Sequence, residues 1–218
     1  MNNNLTELVF VLDRSGSMNG LESDTIGGFN SLIEKQKRVD GIAYVTTVLF
    51  DTHFERIHDR LPLADVPSLT EREYVPGGCT ALLDAVGDTI RHIVHIHRYA
   101  RPEDVPAKTV FVITTDGLEN ASRSFSLDEV KQLIEHEQEK YGWEFLFLGA
   151  NIDAIETAGH LGIHEDRTAN YHPDSTGVKL SFSSMARAVS AARCNAPITA
   201  DWKEEVEADF NRRSTGKL

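Results

Sequence analysis

Five consecutive apolar residues, Leu8-Val9-Phe10-Val11-Leu12, run straight into the carboxylate of Asp13. A strand that is apolar on both faces has to be covered on both faces, which is the situation of a parallel strand inside an α/β sheet. A second such strand begins at Thr109 and passes through Thr114 and Thr115 into Asp116. Around these two, helical and extended patterns alternate. Residues 21–39 predict a helix with Ile26, Phe29, Leu32 and Ile33 on one face. Residues 43–50 predict a strand, and 53–57 a short strand reached by so tight a turn that it must run antiparallel to its neighbour. Pro62, Pro67 and Pro76 mark 61–78 as mostly loop.

Residues 80–99 carry Leu82, Leu83, Val86, Ile90, Ile93 and Val94 at helical spacing. Ser126 and Glu129 read as a capping box opening a helix to about Tyr141. A strand over 143–148, a short helix over 152–161, a short strand over 167–171 and a helix over 181–193 follow. The polar stretch after Asn195 predicts a solvated or frayed helix over 203–213. Alternation of this kind builds a doubly wound sheet with right-handed crossovers. Ligands bind such sheets beyond the carboxyl ends of the strands. The 218 residues, 40% of them hydrophobic, suffice for one α/β domain with additions. The reading is a core over 1–165 and, over 166–218, a strand and helix packed on it with a polar tail.

A net charge of −12, with scattered basic residues, argues against nucleic-acid binding, which needs a basic surface. It suits attraction of cations. Cys79 and Cys194 sit in no metal-binding spacing, and two thiols are expected rather than a disulfide. Residues 1–6 lack the basic start of a signal peptide, and no run approaches the roughly 20 apolar residues of a membrane span. A cytoplasmic protein that engages no membrane is the expectation; its oligomeric state is left open.

The chemistry is concentrated at the strand ends. Two carboxylates closing buried strands, Asp13 and Asp116, are costly unless paired, and they repel each other if they share a crevice. A cation between them removes both difficulties. Ser15 and Ser17 lie two and four residues past Asp13 in a loop that Gly16 keeps open, so their hydroxyls can turn back to the same point. The glycine-rich loop Gly77-Gly78-Cys79-Thr80 can bring the Thr80 hydroxyl over it. This is an all-oxygen donor set, two carboxylates and three hydroxyls, suited to Mg²⁺, Mn²⁺ or Ca²⁺ and unsuited to Zn²⁺. An ion held by few protein ligands keeps waters that an incoming carboxylate can replace.

Asp13-x-Ser15-x-Ser17, then Thr80 after glycines, then Asp116-Gly117 after a buried strand resembles the von Willebrand factor type A (vWA) domain. The five residues match that family's metal-ion-dependent adhesion site, over a resemblance covering about residues 5–165. Cys79 departs from the family, which often has glycine there. The resemblance implies a Rossmann-like, mostly parallel six-stranded sheet with one antiparallel edge strand and helices on both faces. It also implies that the first and fourth strands are neighbours, which would put Asp13 beside Asp116. It further implies a non-enzymatic protein-interaction module whose partner supplies a Glu or Asp carboxylate to the metal.

Plainer readings accompany these. Asp13, the serines and Thr80 also suit helix N-caps, and Asp116-Gly117 suits a turn. Asp51 could accept from a metal-bound water, with a turn residue the simpler reading. His92, His95 and His97 share a helix but lack further zinc ligands. Glu119 and Asn120 follow Asp116 and could shape a partner surface. A Mg²⁺-dependent phosphohydrolase with Asp13 as nucleophile is the alternative activity, although its chemistry wants an acid where Ser15 stands. A structural subunit with a vestigial metal site is the other. No phosphate-binding GxxxxGK[ST] loop occurs.

Overall fold

The computed structural model describes residues 2–215, and their side chains except that of Asn3. Six strands form a single sheet: β1 (Asn2–Asp13), β2 (Ile42–Phe50), β3 (Phe54–Pro62), β4 (Pro106–Thr115), β5 (Glu144–Gly149) and β6 (Thr168–Asn170). Their order is β3-β2-β1-β4-β5-β6. All neighbours pair parallel except β2 with β3, which is antiparallel and forms one edge. The helices are α1 (Glu22–Gln36), α2 (Leu82–Tyr99), α3 (Leu127–Tyr141), α4 (Ala154–His160), α5 (Ser175–Arg193) and α6 (Glu204–Thr215).

The unbroken apolar run of β1 is explained by what covers it. Leu8, Phe10 and Leu12 face a layer that includes Phe29 and Ile33 of α1 and Met185 and Val189 of α5. Val9 and Val11 face the opposite layer, with Val86 and Ile90 of α2, Ile134 of α3 and Ala158 of α4. All five strand residues are fully buried. Each contributes roughly 1.5–3 kcal/mol relative to exposure, so the centre of the sheet is where the fold is most strongly held. The Ser126–Glu129 capping box forms as the sequence predicts, and Gly142 closes α3 in the left-handed conformation.

Several elements are longer than their apolar patterns. β1 starts at Asn2, whose amide donates to the Val105 carbonyl at 2.8 Å, and runs through the buried Glu7, whose Oε2 accepts from Arg60 Nε at 2.8 Å and lies 3.3 Å from His97 Nε2. β3 extends to Pro62 through register shifts opposite Val45–Val48, with Arg60 at φ 48°. α5 begins at Ser175, six residues before the expected start, because the Asp174 carboxylate accepts the Gly177 amide as an N-cap.

The tail is the clearest correction. Its helix packs one face on the core instead of standing free in solvent. Trp202, 1% exposed, and Val206 enter the core layer shared with α5. The Lys203 ammonium donates to the Glu165 and Thr168 carbonyls at 2.8 Å each, anchoring the segment beside β6. Met1 and the last three residues of the chain lie outside the described residues. Among the described residues, no helix is long and apolar enough to cross a membrane.

Candidate metal centre

Strand order reverses between β1 and β4, so their carboxyl ends open a crevice at the switch point. Asp13 closes β1 and Asp116 follows β4, and both are buried, at 1% and 2% exposure. The Asp13 carboxylate is held by protein donors. Its Oδ1 accepts the Ser15 amide at 2.6 Å. Its Oδ2 accepts the Thr115 hydroxyl at 2.8 Å and the Asp116 amide at 3.1 Å. The Tyr74 phenol, buried under the loop, donates to the Asp13 carbonyl at 2.5 Å.

Asp116 is less well provided for. Its Oδ1 accepts from the Asn151 side-chain amide, while its Oδ2 is buried without a hydrogen-bond partner among the described residues. Burial raises its pKa to about 6; the Asn151 hydrogen bond pulls the other way, and the nearby Asp13 charge adds to the rise. Burial, foremost, also pushes the Tyr74 and Tyr171 phenols upward, with Asp13 and Asp116 adding to both shifts. The crevice thus carries negative charge, and among the described residues no cationic side chain pairs with Asp116.

The hydroxyls gather around the same point. Ser15 Oγ and Ser17 Oγ are 3.0 Å apart. A Cβ on Gly117 would stand 3.5 Å from Thr80 Oγ1 and 3.8 Å from Ser17 Oγ, so both hydroxyls lie close to the residue that follows Asp116. Backbone bonds lock the first two loops together: Gly16 N–H to the Gly78 carbonyl at 3.2 Å, and Gly77 N–H to the Arg14 carbonyl at 2.9 Å. Gly78 sits at φ +69°, and a Cβ there would lie 2.6 Å from the Thr52 hydroxyl, which itself accepts the Cys79 amide. The structure therefore brings Asp13, Ser15, Ser17, Thr80 and Asp116 to one crevice.

Other candidates resolve into structural roles. Asp51 accepts its own turn's His53 amide at 2.8 Å and pairs with Arg14 at 3.0 Å, so it is a turn residue and an anchor for the first loop. Asn120 clamps Thr80 from both sides: its side-chain oxygen accepts the Thr80 amide at 2.9 Å, and its own amide donates to the Thr80 carbonyl at 3.1 Å. Glu119 accepts from the Leu83, Ala121 and Ser122 amides, supplying α2 with an N-terminal cap from another loop. Asn120 thus holds Thr80, and Glu119 ties the same loop to the start of α2. His92 pairs with Asp59, His97 with Glu7, and His95 packs on Tyr99. Both cysteines are free and exposed.

Asn151, Thr115 and Tyr74 escaped the sequence reading. Asn151 did carry a signal, since it lies two residues past β5, at the same sheet edge as Asp13 and Asp116. Its φ of 55° aims the side chain back into the crevice. Tyr74 lies in a proline-bounded loop with no periodicity to mark it.

Among the described residues, no three of His, Cys, Asp and Glu cluster so as to hold a metal. An ion here would have to use hydroxyls beside the two carboxylates. The donor chemistry of these side chains fits a hard cation, and one Asp116 oxygen is left without a hydrogen-bond partner among the described residues.

No family model matches the sequence, and no curated protein does. Solved structures do share the six-stranded, doubly wound fold described above, vWA domains among them. The vWF domain of the type V pili tip protein Mfa5 from Porphyromonas gingivalis superposes with a TM-score of 0.60 at 12% identity, covering 86% of this chain and 95% of that one. A manganese-loaded TRAP protein of Plasmodium vivax gives 0.56 at 16%, covering 84% and 74%. Proximal thread matrix protein 1 from the mussel byssus gives 0.61 at 15%, covering 87% of this chain; the chain spans 47% of the mussel protein's length.

Proposed function

We propose that this chain is a non-enzymatic, divalent-cation-dependent protein-interaction module. Asp13, Ser15, Ser17, Thr80 and Asp116 hold one Mg²⁺ or Mn²⁺, and a partner's Glu or Asp carboxylate completes the ion's shell. The observation that carries this reading is the buried, unpartnered Oδ2 of Asp116 beside a second buried carboxylate. A site left like that without a cation holds an uncompensated charge, which proteins seldom tolerate.

The division of labour follows from the hydrogen bonds. Asp13 already receives three protein donors, so it suits a role as fixed charge, reaching the ion through water. The neutral hydroxyls and the unpartnered Asp116 oxygen supply the direct donors. Hydroxyls add no charge, so an ion held mainly by them stays electrophilic toward an outside anion. The manganese in the Plasmodium TRAP structure is consistent with an ion of this class on this fold. Asp13 is followed two residues on by Ser15, not by an acid able to act as proton donor, which favours binding over phosphoester hydrolysis.

Capture of a protein from native lysate by the immobilised chain tests this. Retention in Mg²⁺, release by EDTA and loss in Asp13→Ala and Thr80→Ala variants are expected. Equal capture with and without metal contradicts the proposal.

A further inference from the structure

A second cavity, of about 320 Å³, lies at the opposite edge of the sheet, between the last turns of α2 and α3 and the amino ends of β4 and β5. Val94, Pro106 and Trp143 give it apolar walls, His97 and Glu137 supply polar groups, and Arg98 and Lys140 stand at its mouth. Its size falls within the range of small-molecule sites, which pair apolar walls with a few convergent polar groups.

The walls are tied into the fold. Trp143 stacks on Phe111 with centroids 5.4 Å apart, and the His97 ring stands edge-on to it at 5.6 Å, fixed from behind by Glu7. Glu137 is the anomaly. It is 3% exposed and lines the cavity, yet no hydrogen bond reaches its carboxyl among the described residues; the His136 Nε2 is 4.0 Å away. Burial raises its pKa, against the weaker pull of His136, His97 and Lys140. Lys140, one helical turn on, forms no ion pair with it and instead lies over the Tyr141 ring, 5.1 Å from its centroid. The cavity therefore offers a carboxyl that no group among the described residues hydrogen-bonds, an aromatic wall, and the cations Arg98 and Lys140 among its lining residues.

We propose that this cavity binds a small apolar α-amino acid, or a ligand with the same zwitterionic head. The ammonium meets Glu137, the carboxylate meets Lys140 and Arg98, and the side chain lies against Trp143 and Val94. A simple amine would meet Glu137 but leave the cations Arg98 and Lys140 without a partner, and a simple carboxylate would leave Glu137 to water. Only a molecule carrying both charges at short separation answers both.

Titration of the full chain with L-phenylalanine, followed by the indole N–H resonances, tests this. Trp202, whose indole donates to the Asp166 carbonyl elsewhere in the fold, is the internal control. The expected result is a saturable shift of the Trp143 signal with Trp202 unmoved. Binding should weaken about tenfold in Glu137→Gln and by a smaller factor in Lys140→Ala, the usual cost of removing one charged hydrogen-bond partner. Phenethylamine and 3-phenylpropanoate, each lacking one charge, should bind more weakly than the amino acid. The absence of a saturable Trp143 shift in the wild-type chain overturns the proposal, and so does equal binding of either single-charge analogue. Because the readout involves no divalent cation, its failure would not bear on the metal centre.

Discussion

The backbone amide of Asp116 donates to the carboxylate of Asp13 at 3.1 Å, while the Oδ2 of Asp116 is buried with no partner of its own. One aspartate thus stabilises the other and is left uncompensated. This asymmetry follows from strand order. β1 and β4 are neighbours, so the chain leaving β4 passes directly over the end of β1, and its first free amide falls on Asp13.

Removing the Asp116 charge should stabilise the metal-free protein. The pKa of this group rises from 3.8 to about 6 on folding. An acid with a raised folded pKa costs nothing below its unfolded value, and its penalty grows as pH rises, reaching a plateau above the folded value. Two pKa units correspond to about 3 kcal/mol. Asp116→Asn in EDTA is expected to melt several degrees above wild type at pH 8 and to show little gain at pH 4; thermal denaturation at the two pH values measures this.

Metal binding should be linked to the same proton. A cation favours the ionised carboxylate, so affinity falls as pH drops through about 6 and binding near that pH releases protons. Calorimetry in buffers of different ionisation enthalpy reads the released protons directly. Proton release is expected at pH 6 and should be nearly absent at pH 8.

Tyr74→Phe removes the phenol that donates to the Asp13 carbonyl. Leaving that buried carbonyl short of a donor should cost about 1–3 kcal/mol. At this chain length that is a fall in Tm of roughly 2–10 °C, with weakened Mg²⁺ response because the first loop loses its floor. Melting curves with and without metal separate the two effects.

Glu119→Ala should loosen the third loop without touching the proposed ion. It removes acceptors for the Leu83, Ala121 and Ser122 amides and so frees one end of α2. Hydrogen exchange should speed up at these amides and at Thr80, while Asp13 and Ser15 keep wild-type protection.

Trp202→Ala should destabilise the whole fold by about 3–5 kcal/mol, the usual cost of deleting a fully buried aromatic residue. A tail that merely decorated the surface would lose almost nothing; urea denaturation of the full chain decides it.

How much of this was legible in the sequence depends on the kind of signal. The strand ends were readable because each combined an unbroken apolar run with a carboxylate, a pairing with few physical solutions. The antiparallel β3 was readable from the short turn before it. The start of α5 was missed although Asp174 is a good N-cap, because the apolar spacing strengthens only later in that helix. The packing of α6 was missed because two buried side chains, Trp202 and Val206, hold it inside an otherwise charged segment. Asn151 and Tyr74 act through contacts with residues distant in sequence, and no local pattern encodes those.

Titration calorimetry of Mn²⁺ into the metal-free full chain at pH 7.5, beside the Asp13→Ala and Asp116→Ala variants, tests the central claim most directly. One ion bound per wild-type chain, with binding abolished in both variants while their folded spectra persist, is the predicted result. Wild-type stoichiometry and affinity in either variant would contradict it.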